Sequence, residues 1–248
     1  MSEFLPTTLE EIQQRGWEQI DFLFISGDAY VDHPSFGPAV ICRVLESKGY
    51  KVAMLSQPDW KAGKSLTALG KPRLGVLISG GNLDSMLCHY TAARKLRKKD
   101  NYTPGGIMGK RPDHATVVYS KLAKKVWPDL PVIIGGIEAS LRRFAHYDYW
   151  ENKLLPSILL ESGADLLIYG MGEKQVVEIA DYLAGGADIS TIHYVRGTSY
   201  TCNDLQDVAE QYVSLPSYES ILQDKKLLAN AYKLQSDEQD PFYGKIVV

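Results

Sequence analysis

Four segments of this chain share one pattern: a short β-branched apolar run, a glycine, a few polar residues, then a helix-like stretch. They are DFLFISGDAY from Asp21, RLGVLISGGNLDS from Arg73, PVIIGGIEAS from Pro131 and DLLIYGMGEK from Asp165. A further apolar run, KVAMLSQP from Lys51, lies between the first two. Continuous apolar strands alternating with helical stretches predict βαβ units and a parallel sheet covered on both faces. Right-handed crossovers then bring every strand-to-helix turn to one edge. The expected fold is α/β, a doubly wound, mostly parallel flavodoxin-like sheet with a C-terminal helical extension. Ligands of such folds sit beyond the carboxyl ends of the strands, at the topological switch point.

The helices are legible from spacing and stop signals. GPAVICRVLESKGY places Val40, Val44 and Leu45 on one face and ends at Gly49, a residue type that closes helices. EKQVVEIADYLAGG turns Val176, Val177, Ile179, Ala180 and Leu183 inward and ends at Gly185 and Gly186. HATVVYSKLAKKVWPDLP carries lysines in its last turn, where the helix dipole favours cations, and Pro128 stops it. After Gly186 the character changes. STIHYVRGTSYTC reads as one or two strands, SYESILQDKKLLANAYKLQSDEQ as one long amphipathic helix, and DPFYGKIVV as an extended segment leaving a domain. The expected division is a helical lead-in over 1–20, the sheet domain over 21–187, and a strand and helix extension over 188–248. The run Lys245–Val248 has no turn or cap, so the chain is expected to continue.

Charge and cysteines narrow the function classes. A formal charge of −3 gives no general attraction to nucleic acid or anionic membrane. The first residues have neither the basic flank nor the apolar core of a signal peptide, and no apolar run approaches the ~20 residues of a membrane span. The expected location is cytoplasmic. Cys42, Cys88 and Cys202 are far apart, and no two have C-x-x-C spacing, so no metal site is expected in this chain.

Several turns offer ligand chemistry, each beside a plainer reading. The loop GDAYVDHPSFG, Gly27–Gly37, holds Asp28, Asp32 and His33 and no lysine or arginine. His33 is a metal ligand, cofactor ligand or general base, or it is merely exposed while Asp32 or Ser35 caps the next helix. GGNLDSM puts Asn82, Asp84 and Ser85 at a strand end, as cap or ligand contact. Glu138, after a glycine pair, reads most simply as the cap of its own helix. RRFAHYDYW offers Arg142, Arg143 and His146 among aromatics, either to grip a carboxylate, a phosphate or a planar group, or as a semi-buried helix junction. The GMGE turn places Glu173 where a phosphate would meet the helix, and neither G-x-G-x-x-G nor G-x-x-x-x-G-K-[ST] is present. RKLRKKD reads as a solvated helix end or, with TPGGIMGKRPDH, as a grip on a phosphate chain or RNA. No catalytic triad stands out. Because Gly27–Gly37 and Arg142–Trp150 both follow strands, Asp28 and Asp32 are expected to face Arg142 and Arg143 across one crevice.

Together GDAYVDHPSFG, QPDW, GNLDSM, YTPGG, GKRPDHATVVY, GGIEASLRRFAHYDYW and GMGEKQVVEIA resemble the N-terminal region of the YgiQ-type family of radical S-adenosylmethionine (SAM) proteins, from about Asp21 to Val248. The resemblance implies a cobalamin-binding-type Rossmann domain ahead of a partial TIM barrel that binds a [4Fe-4S] cluster through C-x-x-x-C-x-x-C. That motif is missing here, so the cluster ligands would lie outside this chain and the partner would be its own C-terminal radical SAM barrel. The parent would cleave SAM reductively and act through a radical on a substrate that the family does not name. Cobalamin domains of the base-off type carry D-x-H-x-x-G, whereas here Asp32 directly precedes His33 and Gly37 comes one residue late. Substrate or partner recognition is therefore the leading role for the opening loop and a corrinoid the lesser one. The alternative function is a non-catalytic recognition module for RNA or a protein partner.

Overall fold

The strands form where the apolar runs lie, because each run has enough apolar residues to face two layers at once. The computed structural model describes residues 4–61, 64–205, 208, 211–240 and 242–248. In chain order the elements are α1 (Leu9–Gln14), β1 (Phe22–Ser26), α2 (Gly37–Ser47), β2 (Val52–Ser56), β3 (Gly75–Ser79), α3 (Ser85–His89), α4 (Ala115–Val126), β4 (Val132–Gly135) and α5 (Gly136–Leu141). There follow β5 (His146–Asp148), β6 (Lys153–Leu155), α6 (Ile158–Ser162), β7 (Leu166–Ile168), α7 (Glu173–Ala184), β8 (Thr198–Ser199), β9 (Tyr212–Val213), α8 (Tyr218–Gln223), α9 (Lys226–Asp237) and β10 (Ile246–Val247).

The main sheet has the order β2-β1-β3-β4-β7-β8. Its first five strands are parallel, and Phe22 lies level with both Val52 and Gly75. The short edge strand β8 runs antiparallel to β7. This is the doubly wound flavodoxin-like order, with its switch point between β1 and β3. Alternate residues feed opposite cores. Leu23, Ile25, Val76, Ile78, Val132 and Ile134 pack with Tyr119 and Ala123 of α4 and Ile158 of α6. Phe22, Phe24, Leu77, Ile133 and Ile168 pack with Cys42 and Leu45 of α2 and Val176, Ile179 and Leu183 of α7. On α2 the buried face is Pro38, Ala39, Cys42 and Leu45, so Val40 and Val44 sit at its margin rather than at its centre.

The chain divides into two units, residues 1–143 with 158–200, and residues 144–157 with 201–248. Within the second, β5 and β6 form an antiparallel hairpin, and Tyr218 donates its hydroxyl hydrogen to the Leu154 carbonyl at 3.2 Å. The single long helix expected over 217–239 is two. Asp224 is extended, and its carboxylate accepts from Lys226 N at 3.0 Å, a local bond that competes with the helix. The last residues pair as β10 alongside β9. Of the expected strands after Gly186, Thr198–Ser199 is the one that joins the main sheet, while Ile189–Thr191 is a single tight turn capped by Asp188. The basic run is not a helix end: α3 closes at His89, and the cations lie beyond it.

Candidate functional site

The turns after β1 and β3 close directly on each other. Gly27 donates to the Ser79 carbonyl at 3.0 Å, and a Cβ on Gly27 would stand 2.2 Å from the Gly80 oxygen. Asp28 follows, fully buried. Its Oδ2 accepts from Asn82 N at 2.7 Å and its Oδ1 from Arg111 Nη1 at 2.6 Å. Arg111 is 1% exposed, and its Nε and Nη2 fork onto the buried Asp100 at 2.9–3.1 Å. One guanidinium thus lies between two carboxylates. Burial pushes the Asp28 carboxyl above its ordinary value, and Arg111 offsets only part of that. Arg111 belongs to the segment read as a grip on phosphate; it is instead an internal counter-ion. Neither it nor Asp100 stood out in the sequence, since the two are separated from Asp28 by 83 and 72 positions.

Glu138 is 1% exposed and does not cap its own helix, whose N-cap is Gly135 without a side-chain bond. Its Oε2 accepts from Ser85 N and its Oε1 from Thr116 N, each at 2.8 Å. A carboxylate placed there satisfies orphan donors in the first turns of two other helices, α3 and α4, and sits at the positive end of both. Asp84 caps α3 through Met86 N at 2.9 Å and ion-pairs with Arg142. Arg143 donates to the Ser140 carbonyl at 2.6 Å and lies 4.9 Å over the Tyr169 ring; burial lowers its pKa. Asp32 pairs in a fork with Arg43 of α2, whose hydrogen bonds hold the Asp32 carboxyl below its ordinary value.

The acids therefore do not face Arg142 and Arg143; Asp28 takes Arg111 and Asp32 takes Arg43. Neither Asp32 nor Ser35 caps α2. The cap residue is Phe36, and Asn82 does the clamping: Oδ1 accepts from Gly37 N at 3.2 Å and Nδ2 donates to the Ser35 carbonyl at 3.0 Å. His33 is exposed, with its Nδ1 taking the Ser35 N–H at 3.1 Å. The stretch Arg142–Trp150 is no helix junction. Arg142 and Arg143 follow α5, while His146 lies in β5 of the other unit, its Nδ1 3.1 Å from the Phe144 carbonyl oxygen.

A cleft of about 540 Å³ opens at the carboxyl ends of β1, β3, β4 and β7. Phe24, Leu77, Ile133, Ile134 and Ile168 form its floor. Its walls are the first turns of α2, α5 and α7, and Ser35, Tyr102 and Met171 stand among its lining residues. Backbone reaches the space at Gly81, Gly135, Gly136, Gly170 and Gly172. Gly136 has φ +85°, and a Cβ there would stand 2.5 Å from Ser79 Oγ. Of the side chains singled out in the sequence, Ser35, Asn82 and Glu173 line this cleft, and Glu173 is the one ionisable carboxylate or base among the lining residues described. The floor and the tyrosine were missed because an apolar strand end looks the same in sequence whether helix or open space lies above it.

A family model described as radical SAM N-terminal matches residues 4–248. The chain belongs to that family. Its curated relatives include a UPF0313 protein of Clostridium perfringens strain 13, 53% identical over 247 residues, and one of Clostridium botulinum strain ATCC 19397, 50% identical over 246 residues. The alignments cover 100% and 99% of this chain but 37% and 38% of those relatives, so the chain spans little more than a third of their length. Among solved structures, the radical SAM methyltransferase TsrM from Kitasatospora setae, with tryptophan and a SAM analogue bound, shows 20% identity and a TM-score of 0.48. That match covers 73% of this chain and 28% of that one.

Radical SAM proteins imply SAM and a [4Fe-4S] cluster in the parent. The thiols of this radical SAM N-terminal domain do not fit such a cluster. Cys42 and Cys88 are buried, with burial pushing Cys88 up to about 12, and Cys202 is exposed. Among the described residues no group of three or more His, Cys, Asp or Glu side chains could hold a metal ion. His33 is exposed beside the lining residues Pro34 and Ser35, and no histidine is itself among the described lining of the cleft. No described helix is long and apolar enough to cross a membrane.

Proposed function

We propose that this domain is the recognition part of a radical SAM enzyme, in which the cleft over β1, β3, β4 and β7 receives a substrate or cofactor group beside a cluster-bearing barrel supplied by the rest of the protein. The cleft carries this reading: it lies at the switch-point edge of the sheet, where ligands of this fold bind, and its floor is aliphatic while its walls are backbone. The floor would exclude water from a bound group. Asn82 would hold the α2 wall in place, and Glu173 would offer the one charge among the described lining residues. In this reading residues 21–187 form the binding domain, 188–248 lead toward the barrel, and the protein works in the cytoplasm.

The test uses the whole protein containing the barrel, reconstituted anaerobically with iron and sulfide. Release of 5′-deoxyadenosine from SAM is measured with and without deproteinised cell extract. Ile137 lines the cleft and is 44% exposed, so Ile137→Trp narrows the space without disturbing the core. The variant should lose the extract-stimulated release and keep the basal release. Undiminished stimulation would defeat the recognition role. The isolated chain should take up no stoichiometric [4Fe-4S] cluster under the same treatment, read by absorption and EPR. If hydroxocobalamin binds, the EPR of its Co(II) form should be unaltered in His33→Ala.

A further inference from the structure

Between α3 and α4 the chain builds a small finger that the cleft does not use. Tyr90 and Leu96 form an antiparallel bridge. Thr91 N donates to the Lys95 carbonyl at 2.9 Å, Lys95 N to Thr91 Oγ1 at 3.2 Å, and Arg97 N to the His89 carbonyl at 2.7 Å. Arg97 Nε donates to the carbonyls of Leu87 and Tyr90, at 2.9 and 3.1 Å, closing the end of α3. The finger is thus a built hairpin with its backbone tied down.

Its charge is one-sided. From Tyr90 to Pro112 there are seven lysines and arginines and one carboxylate, in a chain whose formal charge is −3. That carboxylate, Asp100, is consumed by the buried Arg111. The next acid, Asp113, is held by His89 Nδ1 at 2.5 Å and the Tyr90 hydroxyl at 2.9 Å. Arg94, Lys95, Arg97, Lys98, Lys99 and Lys110 all remain exposed. Among the described residues Lys95, Lys98 and Lys99 make no ion pair. Asp100 is buried against Arg111 and Asp113 is tied to His89 and Tyr90, while Lys95, Lys98 and Lys99 are exposed.

We propose that this finger grips the phosphate backbone of a single-stranded nucleic acid. Closely spaced, exposed ammonium groups suit phosphates as point charges, and binding releases counter-ions from the strand. From Arg94 to Lys99 no carboxylate interrupts the cations, which matches a uniform polyanion better than a protein surface, where charges of both signs alternate. The grip does not depend on the cleft being the recognition site.

The experiment titrates this chain into a fluorescein-labelled oligouridylate 20-mer by anisotropy, at sodium chloride from 50 to 300 mM. Four or five phosphate contacts predict a slope of log K against log salt of about −3, from about −0.7 per phosphate on a single strand. Lys95→Ala/Lys98→Ala/Lys99→Ala should make the slope shallower by about 2 and weaken binding at least about tenfold at 100 mM salt. Lys98→Glu alone should weaken it in the same direction, and serves if the triple variant melts early by circular dichroism. Ile137→Trp should bind like the parent chain, which separates failure of the grip from failure of the cleft. Absence of salt-dependent binding, an unchanged slope in the variants, or equally tight binding of a labelled polyglutamate of the same length would overturn the proposal.

Discussion

The two sides of the sheet's carboxyl edge are built on opposite principles. Over β1 and β3 the turns are locked by buried ions: Asp28 with Arg111 and Asp100, Glu138 on two helix starts, Asp84 with Arg142. The turns after β4 and β7 are Gly135, Gly136, Gly170 and Gly172, which border the cleft with backbone in place of ion pairs. The difference teaches that a carboxylate at a strand end is not by itself a ligand-binding group. Here most of the polar residues brace the loops, and the cleft is bordered mainly by backbone and apolar side chains.

The largest effect should come from removing the shared counter-ion on the ionic side. Arg111→Met leaves Asp28 and Asp100 buried without it and should cost about 3–5 kcal/mol, read as a fall in the urea midpoint. A change below 1 kcal/mol would mean that the two carboxylates find water, and the contrast between the sides would weaken. Next, Glu138→Ala strips an ionic acceptor from two helix starts. The expected loss is about 2–3 kcal/mol, with Glu138→Gln keeping part of it. Hydrogen exchange should quicken at Ser85 and Thr116, the two amides that Glu138 accepts from.

On the glycine side the effects on stability should be smaller. Gly136→Ala places a side chain in the left-handed region beside Ser79 and should cost about 1–2 kcal/mol. An equal or larger loss than for Glu138→Ala would show that backbone conformation rather than ionic bracing dominates this edge. The smallest effect concerns pH. Asp32 is held below its ordinary value of 3.8 by Arg43. Its contribution to stability is therefore present above 3.8 and fades as pH falls through the lowered folded value. The melting temperatures of the parent and Asp32→Asn should differ modestly at pH 6 and draw together as pH falls through the lowered value. A constant difference across that range would show that the Asp32–Arg43 pair contributes nothing through charge.

Sequence alone determined the sheet. Phe22–Ser26, Gly75–Ser79 and Val132–Gly135 announce themselves because a strand buried on both faces must be apolar throughout. Gly49, Pro128 and Gly185 mark helix ends because their backbone chemistry is local. It also placed the turns at one edge, since crossover handedness follows from strand twist. Which side chain meets which was decided by tertiary structure. Arg111 looks like any surface arginine in a basic run until the fold carries it 83 positions back to Asp28. Glu138 looks like the cap of α5 until α3 and α4 present their first amides to it. Helix and strand periods are set by bonds between near neighbours, so they can be read along the chain. Ion pairs and the open space above a strand end depend on segments far apart in sequence, and these meet only when the sheet closes.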